Sequence, residues 1–171
     1  MFTNEQIEIG TLPSFETVKM QAISKKYLNI IIINKLGIFI VLYAALFVVN
    51  VYASDIIFTE YFWYLFFSLS LLFILNLIFA VLAFKKRKYA IREKDVLYSK
   101  GLLVHKLIVV PISRIQHIEE TKTWLARQFN LASIKIFTAG DAGTDLSING
   151  LTNEEAKRIN DFLSARVNAD H

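Results

Sequence analysis

Residues 79–91, FAVLAFKKRKYAI, join three patterns: the end of an apolar run, the four consecutive bases Lys85, Lys86, Arg87 and Lys88, and alternation that begins at Tyr89. The apolar run reaches back to residue 61 without a charge, interrupted only by Ser68, Ser70 and Asn76. As a helix, residues 61–84 would extend about 36 Å, enough to cross a hydrocarbon core of about 30 Å. Tyr61, Trp63 and Tyr64 stand at its start, where amphipathic rings favour a membrane–water interface. Aromatic rings at one end and bases at the other bracket a candidate span.

A second apolar run precedes it. Residues 36–53 are apolar apart from Asn50 and follow YLNIIIINK, so a span is expected over about 31–52. Lys35 then belongs near the inner interface, because a charge at mid-bilayer costs roughly 3 kcal/mol or more, whereas a snorkelling stem reaches headgroups. The same lysine could serve a transport path, but beside a helix end an anchor is the simpler role. A cleaved signal peptide does not fit: the run begins late, no small-residue cleavage motif follows, and another span comes soon after. The link SDIIFTE, residues 54–60, leaves room for a tight turn and carries Asp55 and Glu60 but no base. Lys19, Lys25 and Lys26 lie before the first run and Lys85 to Lys88 after the second, which by the positive-inside rule puts both termini in the cytoplasm. The expected organisation is a cytoplasmic N-terminal segment over 1–26, a two-span hairpin over 27–84 in the cell membrane, and a cytoplasmic domain over 85–168.

Composition agrees with a small domain plus membrane helices: 54% of the 171 residues are hydrophobic and 14 are phenylalanine. The absence of cysteine excludes a disulfide framework and thiolate chemistry. The net charge of +4 divides with the runs, since residues 85–171 hold fifteen bases and ten acids.

After Arg87 the pattern shortens. KYAIR, the polar turn EKD, VLYSKG and LLVHKLIVVP read as strand, turn, strand, Gly101 and strand, with Pro111 as the stop. PISRI should turn, QHIEETK should extend, and TWLARQF should form a short helix with Thr123 as its cap. In LASIKIFTAG, Ala132, Ile134 and Ile136 share one face and Leu131, Ser133 and Lys135 the other. The isoleucines should point to a core. DAGT should turn the chain, and DLSING should be a last strand ending at Gly150. Thr152 with Glu155 three residues on is a capping-box pattern, and Ala156, Ile159, Leu163 and Val167 recur at helical spacing with Lys157, Arg158, Asp161 and Arg166 facing outward. Such a helix must cover the preceding sheet.

The order of these features resembles a known family. Two apolar helices, then VVPISRIQHIEETKTWLARQFNLASIKIFTAG and LSINGLTNEEAKRINDFL, are similar to bacterial PH-like membrane proteins of the YdbS type, the bPH2 or DUF304 family, over roughly residues 25–166. The resemblance rests on Pro111, Ile115, Gln116 and His117, on Trp124 to Phe129 before Leu131, on Thr138-Ala139-Gly140, and on the step from Gly150 to Leu151. Asn130 replaces the family's usual glycine and tolerates the same left-handed backbone. The resemblance implies a PH-like fold, either a β-barrel or a strongly bent antiparallel sheet capped by a C-terminal α-helix. It also implies a membrane complex with another protein bearing PH-like domains, and no enzymatic reaction.

The chemical inventory leads the same way. His105 and His117 fall in expected strands and His171 ends the chain, with no metal-ligand spacing among them. Asp141 and Asp145 read as turn carboxylates, Gly140 and Gly143 lack the phosphate-loop pattern, and no serine is singled out beside a histidine and an acid. An enzyme would need a polar pocket built from Arg114, His117, Asp141 and Asp145. No catalytic, metal or cofactor residue is therefore expected.

The basic quartet has three readings. Nucleic acid asks for a wider basic surface with a reading helix or aromatic platform, whereas this domain mixes both signs. Anionic lipid headgroups would gain about 1 kcal/mol per nearby base. Topology alone is simplest. Lys25, Lys26, Lys35, Lys85, Lys86, Arg87 and Lys88, with Tyr61, Trp63 and Tyr64, are thus the expected interface anchors, with the lipid bilayer as partner. The expected role is non-enzymatic membrane-tethered binding or scaffolding at the cytoplasmic face; the alternative is an accessory subunit in envelope stress or antimicrobial resistance.

Overall fold

The computed structural model describes residues 18–52, 56–138 and 146–169. Two long helices, α1 (Lys26–Tyr52) and α2 (Ile56–Lys85), carry the apolar runs. Both are apolar on every side. Ile40, Val41 and Phe47 of α1 and Trp63, Phe67 and Leu71 of α2 lie mostly uncovered, unlike a helix that presents one stripe to a core. Each is long and apolar enough to cross a membrane. They meet through Phe39 and Phe73, with ring centroids 4.6 Å apart, and through Tyr43 and Phe66 at 5.3 Å. The Tyr43 and Ser70 hydroxyls share a 2.8 Å hydrogen bond, and Ser70 also donates to the Phe66 carbonyl at 2.8 Å.

Both helices start earlier than the expected spans. α1 begins at Lys26 because its first turns rest on the domain, and α2 is already helical at Ile56, within the stretch expected to be a link. Residues 53–55 lie outside the described residues.

The remainder forms two antiparallel sheets. The first has four strands in the order β1 (Gln21–Ala22), β2 (Lys88–Ile91), β3 (Asp95–Lys100) and β4 (Lys106–Pro111). A 3-10 turn over Ile112–Arg114 then leads into the second, made of β5 (Ile115–Thr121), β6 (Leu131–Thr138) and β7 (Leu146–Thr152). Among the described residues these are separate ladders, so the open bent sheet describes them and the closed barrel does not. A short helix, α3 (Trp124–Gln128), joins β5 to β6, and α4 (Asn153–Ala169) follows β7 directly.

Local chemistry accounts for the helix starts. The Thr123 hydroxyl accepts the Ala126 amide at 3.2 Å and caps α3. At α4 the capping box closes in both directions: the Glu155 amide donates to the Thr152 hydroxyl at 3.2 Å, and the Thr152 amide donates to Glu155 Oε2 at 2.8 Å. Asn130 takes a φ of +56°, the left-handed conformation its side chain tolerates.

The main core lies between the sheets and α4. Val96 and Tyr98 from the first sheet meet Ile134, Ile136, Ile148 and Leu151 from the second, and Ala156, Ile159 and Leu163 of α4 close the space. Ala132, Ile134 and Ile136 are buried as their alternation requires.

Several elements depart from the sequence reading. Leu131, on the face of Ser133 and Lys135, is buried there, because Ile30, Leu125 and Ala126 cover that end of the strand in a second small core. β7 runs past Gly150 to Thr152. His105 sits in the β3–β4 connection, not in a strand, with its Nε2 2.8 Å from the Ser99 hydroxyl. The expected DAGT turn, with Asp141 and Asp145, and His171 lie outside the described residues. β1 had no counterpart in the sequence reading.

Candidate functional site at the helix-bearing rim

One end of the domain carries both long helices. α2 ends at Lys85 and β2 starts at Lys88, with the Lys86 amide donating to the Ala83 carbonyl at 3.3 Å and the Arg87 amide to the Phe84 carbonyl at 3.0 Å. Phe84 packs against the main core. No flexible stretch intervenes.

The start of α1 is held as closely. Gln21 and Ala22 pair with Tyr89 and Lys88, Ile23 is buried, and the Ser24 amide donates to the Gly150 carbonyl at 2.9 Å. Tyr27 lies on Gly150, where a Cβ would come within 2.6 Å of the ring. One turn further on, Ile30 is buried with Leu125, Ala126 and Leu131. Both helix bases are thereby part of the folded domain.

This geometry divides the basic quartet. Lys85, Lys86 and Lys88 are exposed, whereas Arg87 is half-buried with its guanidinium 5.9 Å from the centroid of the Tyr27 ring. Arg87 therefore braces the two helix bases against each other. Lys25 and Lys26 are exposed at the start of α1 and join the same rim.

Lys35 stands apart. From the Phe39–Phe73 contact, counting four residues back along α1 and four forward along α2 sets it level with Leu77, about 12 Å from Lys85. Tyr61, Trp63 and Tyr64 are exposed at the opposite end of α2, about 33 Å from Lys85 along the helix.

Behind the rim, the Tyr89 hydroxyl bonds Glu155, and burial together with that carboxylate pushes its pKa up to about 12. Burial also raises Tyr98. Each shift extends the neutral range of the phenol to higher pH. On the outer face of the second sheet, His117 stacks on Phe137 with centroids 4.1 Å apart and stands 3.7 Å from Glu119. Among the described residues no three His, Cys, Asp or Glu side chains cluster to hold a metal.

The bacterial PH domain model matches residues 32–167. The chain belongs to the bacterial PH domain family. Its domain is accordingly a non-catalytic PH-like one: a bent antiparallel sheet with a C-terminal helix. Over 85 residues the chain is 36% identical to the UPF0699 transmembrane protein YdbS of Bacillus subtilis (strain 168), covering 48% of this chain and 52% of that protein. It thus spans about half the length of the curated relative it matches. No solved structure matches.

The sequence reading found the bases of this family member but missed two exposed apolar features on the same rim. Trp124 is 69% exposed at the start of α3, beside Lys122 and Arg127. Leu103 and Val104 form the tip of the β3–β4 hairpin. The available signal was Gly101 followed by the three apolar residues Leu102, Leu103 and Val104 and then HK, which interrupts the strand alternation.

Proposed function

We propose that this chain is a non-enzymatic, membrane-tethered binding or scaffolding protein of the cytoplasmic face. In this reading α1 and α2 cross the cell membrane as a hairpin, both termini are cytoplasmic, and the domain contacts another membrane protein bearing PH-like domains. Similarity to a transmembrane protein of Bacillus supports the membrane placement. The observation that carries the proposal is the double attachment. With Tyr27 seated on Gly150 and β2 beginning three residues after the last residue of α2, the domain cannot swing on a tether. Its rim is presented at fixed height and angle, which raises local concentration for a partner in the same membrane.

Lys25, Lys26, Lys85, Lys86 and Lys88 would lie at anionic headgroups, and the stem of Lys35 would snorkel towards them from a little over two turns deeper. Tyr61, Trp63 and Tyr64 would occupy the outer interface.

In-cell crosslinking followed by purification in mild detergent tests the role. A reproducible membrane-protein partner is expected, and its absence both from crosslinks and from mild purification would overturn scaffolding. Topology is separately readable: a reporter at residue 57 should be external and reporters at both termini cytoplasmic. A cytoplasmic signal at residue 57 would overturn the hairpin.

A further inference from the structure

The β3–β4 hairpin has a tip that a water-facing turn does not need. Leu103 is 85% exposed and Val104 78%. Isolated apolar residues on a surface are ordinary, but two adjacent aliphatic side chains standing almost free at a hairpin tip have no covering element among the described residues. The turn is a formed one. Gly101 holds a φ of +104°, a Cβ there would lie 1.9 Å from the Val104 carbonyl oxygen, and Ser99 bonds His105 across the base. The pair is presented by the backbone and is not left over from a frayed strand.

Register locates the tip. Lys88, the first residue of β2, pairs with Ser99, and Lys100 pairs with Lys106. The connection from Gly101 to His105 therefore continues beyond Lys88 at the same end of the sheet to which both long helices attach. Its two flanks are the exposed Lys100 and Lys106, and Lys85, Lys86 and Lys88 share the rim. An aliphatic point set in a ring of lysines matches the cross-section of an anionic membrane surface, with acyl chains beneath phosphate headgroups.

We propose that the β3–β4 tip is a third membrane attachment: Leu103 and Val104 enter the boundary between headgroups and acyl chains, while Lys100 and Lys106 contact anionic headgroups. This rests on the reading that α1 and α2 span the bilayer. The two helix bases already fix the domain relative to α1 and α2, and contact at the hairpin adds a third point that also holds the helices and the domain against tilting together in the bilayer.

The chain has no cysteine, so single-cysteine variants report one position each. Full-length protein carrying Val104→Cys, Glu93→Cys or Leu75→Cys is labelled with an environment-sensitive fluorophore. It is then reconstituted in phosphatidylcholine–phosphatidylglycerol vesicles, with and without lipids bearing a quencher high on the acyl chain. Glu93 is exposed in the β2–β3 turn at the far end of the sheet, and Leu75 is exposed within α2. The label at residue 104 should show blue-shifted emission and several-fold stronger lipid quenching than the label at 93. Lys100→Gln with Lys106→Gln should weaken that quenching. Water-like emission at 104 with a lipid-buried label at 75 overturns the wedge while leaving the spans intact, and a water-like label at 75 overturns the spans themselves. A blue-shifted label at 104 that lipid quenchers do not reach means that protein covers the tip, either a second copy or a partner, and this also overturns the proposal.

Discussion

At the scale of single residues, Gly150 combines a left-handed backbone with a close contact between distant segments. Its φ of +83° disfavours any side chain, and Tyr27 fills the place of a Cβ. Gly150→Ala should therefore destabilise the domain by about 2–3 kcal/mol, combining backbone strain with the displaced ring. Unfolding of the purified protein in detergent measures this, and adding Tyr27→Ala should cost less than the sum of the two single changes, because they share one contact. Additive effects would show that the clash is not the cause. Tyr89 gives a pH dependence. Its folded pKa, about 12, lies above the ordinary value of 10, so the stability it contributes is complete below pH 10 and is lost as pH rises through about 12. Tyr89→Phe should lessen the fall in melting temperature over that window, and an unchanged alkaline profile would dissociate the phenol from it. Both residues lay in plain view in the sequence, but neither the ring above Gly150 nor the carboxylate beside Tyr89 could be read from neighbours in the chain.

At the scale of elements, α4 was the most legible. Its cap, its apolar stripe and its polar face follow from spacings of three and four residues, and the structure returns each of them. Thr152→Ala removes the acceptor for the Glu155 amide and should cost about 1 kcal/mol, with faster amide exchange confined to the first turn of α4. Uniform exchange along α4 would point to a global effect in place of a lost cap. β4 was less legible. LLVHKLIVVP supplies enough Val, Leu and Ile for a strand throughout, and only the pairing of Lys100 with Lys106 decides that its first residues form a turn instead. Leu131 shows the same limit. Alternation sets it opposite Ala132 and Ile134, and only the fold brings a second core to that side and buries it.

At the scale of the whole molecule, residues before α1 complete a sheet whose other strands follow α2. The domain is thus discontinuous in sequence, and residues 86–171 alone lack β1, Ile23, Tyr27 and Ile30. That fragment would uncover the β2 edge together with Leu125 and Leu131. It should bind hydrophobic dyes and unfold broadly, whereas the full chain should show one cooperative domain transition. A sharp transition in the fragment would mean that the α1 base is an accessory to the fold and not part of it.

Taken by itself, the sequence determined the two apolar helices, the order of strands and helices after them, the caps of α3 and α4, and the basic rim. Each of these depends on composition over a window or on contacts within a few residues, and such information survives in one dimension. Tertiary structure alone decided that β1 exists, that Arg87 turns from its lysine neighbours onto Tyr27, and that Leu103 and Val104 stand free at a hairpin tip on the helix-bearing rim. Those outcomes depend on pairing between segments far apart in the chain. A two-residue strand has no pattern of its own, and one base among four differs from the others only by the ring that the fold brings to it.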